Sequence, residues 1–538
     1  MASCGDETSR EPYGDVAETV SSVVYFAGDR AYKLKKRVNL GFLDFTTRQA
    51  RASACQRETE LNRRYAPDVY LGVADVRDPD GQICDHLVVM RRMPARRRLS
   101  SLVRAGAPVA GSLRQVARIL ATKHAAAPRS AQISEQGSGD ALRARWEDNL
   151  NQARSVGGRL LDAATVDEVS RLALQFIAGR APLLEARIRD GRVLDGHGDL
   201  LADDIFCLDD GPRILDCLDF DDRLRWLDGL DDAAFLTMDL ERLGAADHAR
   251  QFTDWYAEFS GDPAPGSLRH HYVAYRAFVR AKVACIRAGQ GDLAVGGQAR
   301  LLTDITLRHL RAGAVTLVLI GGLPGTGKST LAGAVADRLG WTVLSSDRIR
   351  KELAGSLPRH GDGGTGSGGT GSGGTGPEGT ACARIGTVPF GTGIYSESWT
   401  RRCYAELISR ASALLASGES VIADASWSSA ELRVAAADAA AGTHAGLVQL
   451  RCVAAPELAA RRMTTRPPGP SDADQEVARQ MAALVAAWPA ATVIDTEPAG
   501  TAVSPEAFAG LVQQALDAIR PHGAEHVWRP TRPVMAPD

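Results

Sequence analysis

Val315-Thr316-Leu317-Val318-Leu319-Ile320-Gly321-Gly322-Leu323-Pro324-Gly325-Thr326-Gly327-Lys328-Ser329-Thr330 decides how the second half of this chain folds. The aliphatic and β-branched run fits a buried strand, and apolar positions recur at helical spacing from Leu331 to Leu339. Between them stands G-x-x-x-x-G-K-S, Gly322 to Ser329. Glycines let successive backbone N–H groups curl around an anion, and the helix N-terminus adds partial positive charge. In this strand–loop–helix context Gly322 to Thr330 is expected to cradle the phosphates of ATP. Lys328 would reach the β- and γ-phosphates, and the Ser329 hydroxyl would sit on Mg²⁺.

Working outward, strands alternate with helical segments. Trp341 to Leu344, Ser420 to Ile422, Gly446 to Val453 and Val493-Ile494 read as strands of a doubly wound parallel sheet. Such sheets bind ligands at the carboxyl ends of their strands, and acidic and basic residues gather there. Asp347 and Arg350, three apart at a helix start, form a candidate acid–base and anchoring pair for a hydroxyl acceptor. Asp424 ends an apolar strand, where a carboxylate can hold Mg²⁺ or its waters. Arg461, Arg462 and Arg466 precede a Pro-Pro-Gly-Pro break and are candidates for a lid that clamps phosphate oxygens. Gly361 to Gly376 repeats G-S-G-G-T, so a disordered insert is expected over about 361–381.

These residues resemble the P-loop kinases of the polynucleotide-kinase, zeta-toxin and gluconate-kinase kind, over roughly Val315 to Ile519. The likeness rests on G-G-L-P-G-T-G-K-S-T, S-S-D-R-I-R and V-I-A-D-A-S together with the arginine-bearing helix. It implies that Asp347 with Arg350 activates an acceptor hydroxyl.

The first half carries a second constellation. Leu194-Asp195-Gly196-His197-Gly198-Asp199-Leu200 precedes Ile214-Leu215-Asp216, and twelve aspartates fall between Asp199 and Asp232. Carboxylates at that density repel one another unless a metal or arginine compensates. Upstream, Val23 to Lys35 reads as two strands around a Gly-Asp turn. Lys33 on the second strand is the candidate phosphate-holding lysine, with Lys35 on the same face as the alternative. Glu58 or Glu60, on a helix over Thr47 to Tyr65, is its candidate partner.

H-G-D-L resembles the catalytic loop of the aminoglycoside and choline phosphotransferase branch of protein-kinase-like folds. The resemblance implies Asp199 as base, His197 as loop support, Asp216 as metal-binding aspartate and Leu87 to Met90 as the strand meeting adenine. It also places Asp204 where the branch carries Asn, a second metal position with an added negative charge. Taken together, the halves resemble bacterial two-domain proteins in which an aminoglycoside phosphotransferase-like domain is fused to a P-loop kinase domain.

Bulk properties agree with this. A chain of 538 residues exceeds a single core, and 44% apolar with 24% charged residues is ordinary globular composition. Net charge of −2 argues against broad nucleic-acid coating. The nine cysteines show no C-x-x-C, which points to reduced thiols in a cytoplasm. Met1 to Ala17 is polar and acidic, and no long apolar run occurs. The expectation is therefore mixed α/β and α+β. A two-lobed protein-kinase-like domain spans 1–312, and a doubly wound P-loop kinase domain spans 313–538. The cofactors expected are ATP and Mg²⁺, and the acceptor is an unidentified hydroxyl compound, with a small molecule favoured over a polynucleotide end. Two alternatives stay open: a P-loop kinase with a degenerate N-terminal sensor, or a regulatory ATP-binding protein. Arg91, Arg92 and Arg96 to Arg98 are read as a solvated turn, and Tyr272, Tyr275, Arg276 and Arg280 as packing or pairing within a late helix.

Overall fold

The Gly28-Asp29 pair turns the chain between β2 (Ser22–Ala27) and β3 (Arg30–Lys35), with Gly28 at φ 58° in the left-handed region that glycine adopts without strain. This hairpin belongs to a computed structural model that describes residues 14–39, 41, 43–156, 160–289, 292, 295–355, 391–465, 473–497 and 504–519. The glycine-rich stretch at about 361–381 and Arg466 lie outside the described residues. The chain divides into two compact units. One comprises the chain to Leu174 with Leu184–Ala264 and Leu268–Leu310, and the other comprises Gln175–Leu183, Pro265–Ser267 and Arg311 onward.

In the first unit β2 and β3 join β1 (Gly14–Glu18), β4 (Tyr70–Arg77) and β5 (Ile83–Arg91) in an antiparallel sheet of order β1-β2-β3-β5-β4. Strand β1 was not expected from the sequence. All five of its residues are exposed, so it shows no burial alternation, and it is held by backbone pairing to β2. Helix α1 (Arg48–Arg63) starts at Thr47, whose side chain accepts from the Ala50 amide. It packs Cys55 into a small core with Ala66, Val69, Tyr70 and Val88, which fixes Glu58 under the sheet.

The rest of this unit is mostly helical. Helices α2 (Ala110–Ala126) and α3 (Gly139–Val156) precede two short strand pairs. These are β6 (Val193–Asp195) with β9 (Trp226–Asp228), and β7 (Ile205–Leu208) with β8 (Gly211–Ile214). Helices α4 (Gly229–Arg242) and α5 (Gly266–Gly289) follow. Buried arginines answer much of the aspartate density. Arg187 donates to Asp228 and Asp262, and Arg276 donates through two nitrogens to Asp231. Tyr272 and Tyr275 are buried on α5, as the helical spacing suggested.

The second unit is built on five parallel strands: β10 (Thr316–Gly321), β11 (Thr342–Ser345), β12 (Val421–Asp424), β13 (Gly446–Val453) and β14 (Thr492–Asp495). Their order is β11-β12-β10-β13-β14. Helices α6 (Lys328–Leu339), α7 (Ser346–Leu353), α8 (Glu397–Ala416), α9 (Pro456–Thr465) and α10 (Pro505–Ile519) connect and cover them. Val318, Ile320, Leu331, Val335, Ile422, Leu450, Ile494, Val512 and Leu516 form one core. Each such side chain contributes about 1.5–3 kcal/mol on burial. Register does the rest: Asp424 pairs with Ile320 on one side and Ser345 on the other, so three strands end at one level.

Candidate functional site

In the second unit that common level is the mouth of the phosphate loop. Gly325 and Gly327 both sit at φ 81°, and Gly327 leads directly into α6 at Lys328. The loop closes on α9, for a Cβ on Gly325 would lie 2.4 Å from the Ala459 carbonyl oxygen. Gly325→Ala combines that clash with left-handed strain of about 1–3 kcal/mol. It is expected to lower the melting temperature and weaken binding of an ATP analogue at least tenfold in calorimetry, whereas Gly333→Ala, with open space around it, changes neither.

Asp424 is 4% exposed, and its Oδ1 has no hydrogen-bond partner. Burial raises its pKa, against the pull of Lys328 and of a hydrogen bond from Ser329. A buried carboxylate oxygen left over beside a serine hydroxyl and the loop lysine fits a divalent cation, which prefers oxygen ligands. Asp347 is half-buried on the first turn of α7. Arg350, one turn on, is 7% exposed, donates to the Ile394 carbonyl (2.7 Å) and lies over the Tyr395 ring, with Nε unsatisfied.

The expected lid arginines part company. Arg462 donates to the Thr496 carbonyl (2.7 Å) and hydroxyl (3.0 Å), and Thr496 in turn donates to the Thr326 carbonyl, so Arg462 stands at the loop. Arg461 is exposed on α9, and no contact among the described residues brings it to the loop. Thr496 had no signal in the sequence, because nothing but the β13–β14 pairing carries it to the phosphate loop.

In the first unit, three sequence-distant segments converge on Lys33. Its Nζ donates to Glu58 (2.8 Å) and to Asp216 (2.9 Å). Lys35 pairs with the other oxygen of Glu58 (2.6 Å) and with Asp219 (2.9 Å). Burial opposes the charge on both lysines, but the carboxylates outweigh it and their pKa values rise; Glu58 ends below its ordinary value, the lysines outweighing its own burial. Lys33 and not Lys35 therefore meets Asp216, and Glu58 is the partner; Glu60 is 75% exposed and only approaches Arg57 (3.9 Å). Removing the buried charge strands two lysines. Glu58→Gln is expected to cost about 3–5 kcal/mol in urea unfolding, and Glu60→Gln within about 0.5 kcal/mol.

His197 is fully buried and kept neutral by desolvation. Its Nε2 lies 3.0 Å from the Leu215 carbonyl, and its Nδ1 accepts the Asp199 amide at 3.4 Å. One tautomer, protonated at Nε2, satisfies both and ties the Asp199 loop to the Asp216 segment. Asp232 accepts from the amides of His197 and Gly198 and lies 2.9 Å from His124. It is a loop anchor that the sequence offered only as one aspartate among twelve.

Asp216 has φ 61°, unusual for a residue with a side chain, and Lys33 holds its pKa down. Asp199 is pushed up to about 6 by burial, with Arg280 pulling the other way. Burial and then repulsion from Asp216 and Asp199 hold Asp204 well above the usual carboxylate range. No ion pair or side-chain hydrogen bond compensates Asp204 among the described residues. Asp204 and Asp216 thus present two oxygen ligands suited to a cation. Among the described residues, no three His, Cys, Asp or Glu gather closely enough to hold one alone, so phosphate oxygens would complete the shell.

Four of the arginines read as a solvated turn are engaged instead. Arg91 pairs with Asp68 and Arg97 with Asp209, while Arg92 and Arg98 lie over Phe26 and Phe206.

A family model described as an AAA domain matches residues 317–487. An uncharacterized protein of Mycobacterium tuberculosis is 43% identical over 486 residues, covering 90% of this chain and 93% of that protein. Among solved structures, a choline/ethanolamine kinase family protein from Mesorhizobium loti is 16% identical, covering 57% of this chain and 94% of its own, with TM-score 0.34. A gluconokinase from Sinorhizobium meliloti is 16% identical, covering 38% and 95%, with TM-score 0.23. The chain folds as two units, and the second carries both the phosphate loop and the AAA-domain match, which supports nucleotide binding. No helix among the described residues is long and apolar enough to cross a membrane.

Proposed function

The chain belongs to the same family as the Mycobacterium tuberculosis protein, whose match covers 90% of this chain, and from that premise we propose an ATP- and Mg²⁺-dependent phosphotransferase with two transfer sites, divided near Ala312. The observation that carries it is the unpartnered, buried Asp424 oxygen beside Ser329 and Lys328 at the mouth of a phosphate loop. There the loop amides and Lys328 bind the triphosphate, and Ser329 with Asp424 holds Mg²⁺, which neutralises charge on the phosphates when bound. Asp347 takes the proton of an acceptor hydroxyl, Arg350 orients the acceptor, and Arg462 steadies the transferring phosphoryl oxygens.

In the first unit Lys33, fixed by Glu58, binds the α- and β-phosphates. Asp204 and Asp216 hold the metal, and Asp199, positioned by His197, is the base. A hydroxyl-bearing small molecule is the acceptor class. A second reading, in which this unit is a degenerate sensor, is favoured by Asp204 standing where the kinase pattern carries Asn. The test measures phosphate transfer from ATP by Lys328→Ala and Asp199→Ala proteins to sugars, amino-sugars, choline-like alcohols and 5′-hydroxyl oligonucleotides. If Asp199→Ala leaves every transfer intact while Lys328→Ala abolishes all, the first unit is a sensor. If neither change alters any turnover, the protein is a regulatory nucleotide binder and the phosphotransferase reading fails.

A further inference from the structure

Among the described residues, Arg280 is the arginine beside Asp199 whose nitrogens make no hydrogen bond. Its Nη1 stands 4.0 Å from Asp199 Oδ1, beyond hydrogen-bonding distance, and both side chains are about a third exposed (31% and 37%). No hydrogen bond engages it among the described residues. Arg276, one turn earlier on α5, is by contrast spent on Asp231 through two nitrogens and buried. The helix carries Arg269, Arg276, Arg280, Lys282 and Arg287 and neither Asp nor Glu. The strongest cationic influences in the site also fall on different carboxylates: Lys33 leads on Asp216, while Arg280 leads on Asp199. Lys33 serves the side of the nucleotide and metal; Arg280 serves the side of the base, where an acceptor hydroxyl must lie.

We propose that Arg280 selects the acceptor of the first unit, taking an alcohol that also carries a carboxylate or phosphate and discouraging amino-alcohols and amino-sugars. A planar guanidinium with free donors matches an oxyanion in two hydrogen bonds, whereas a substrate ammonium placed there meets a like charge. Arg280 is thereby a specificity-determining residue, not the base. This inference rests on Asp199 acting as the base.

The test uses the full chain with Lys328→Ala to silence the phosphate loop, and compares D-gluconate, D-glucose and D-glucosamine as matched acceptors. Transfer from ATP, KM for sugar and for ATP, and the melting shift each sugar produces are measured with and without Arg280→Ala or Arg280→Lys. Gluconate is expected to be preferred. Arg280→Ala should raise its KM about 10–100-fold, the usual worth of a charged hydrogen bond, abolish its melting shift and leave the KM for ATP unchanged. Arg280→Lys should restore part of the preference. A preference for glucose or glucosamine, a gluconate preference surviving Arg280→Ala, a rise in the KM for ATP instead, or no response to any sugar in either measurement overturns the proposal. Transfer that persists in Lys328→Ala/Asp199→Ala protein marks failure of the base assignment. Asp199-dependent transfer blind to acceptor charge marks failure of the Arg280 assignment alone.

Discussion

Lys328→Ala is expected to lower phosphate transfer at the second-unit site on the order of 10²–10³-fold, the cost of removing one preorganised donor to developing charge. The loop glycines would remain in place, because their φ values and the packing of Gly325 on Ala459 do not involve the lysine. Folding should therefore survive and the melting temperature stay near that of the parent. Lys328 also pulls against the burial that raises the Asp424 pKa. Without it, Asp424 protonates more readily, and Mg²⁺ affinity falls along with nucleotide affinity. Calorimetric titration of Mg²⁺ with an ATP analogue separates this from simple loss of a phosphate contact. Parent-like Mg²⁺-dependent binding in the variant would mean that the loop does not hold nucleotide as argued.

Much of this site could be read from the chain because its parts are local. A buried strand, a glycine turn and a helix follow one another within Val315 to Leu339, and the loop forms from that succession alone. What could not be read is which strand lies beside β10. Asp424 is more than ninety positions from the loop in sequence, and only the order β11-β12-β10 sets it at the level of Ile320 and Ser345. The same holds for Thr496 on the other flank.

The first unit was harder for a physical reason. Period-two alternation puts Lys33 and Lys35 on one face, and both do reach Glu58. The difference between them is made by Asp216 and Asp219, which arrive from a segment about 180 positions away. Likewise, aspartate density signals a need for compensation but not where it comes from. Arg57, Arg97, Arg187 and Arg276 approach from separate elements and neutralise Asp222, Asp209, Asp228 and Asp231. Arg213, Arg223, Lys35 and His124 likewise meet Asp210, Asp221, Asp219 and Asp232, and Ser100 donates to Asp203, which leaves Asp199 and Asp204 beside Asp216 as the poorly compensated carboxylates. The functional cluster was visible in the sequence only as part of a larger acidic stretch.

Asp199→Asn should separate chemistry from stability at that cluster. Loss of the base is expected to lower first-unit transfer by about 10²–10⁴-fold, measured in the Lys328→Ala background. The same change should raise the melting temperature at neutral pH. Burial lifts the folded pKa of Asp199 from the ordinary 3.8 to about 6, so the folded state binds this proton more tightly than the unfolded chain does. Stability from this group is full below about pH 4 and is lost as pH rises through 6; an amide, never ionised, escapes that loss. Activity runs the other way, since a base must be ionised. First-unit transfer should therefore fall as pH drops through about 6, two units above where an ordinary aspartate would fail. A variant that loses transfer and melts lower would identify Asp199 as a structural carboxylate, and a pH profile flat to 4 would show that this partly exposed side chain titrates as an ordinary aspartate.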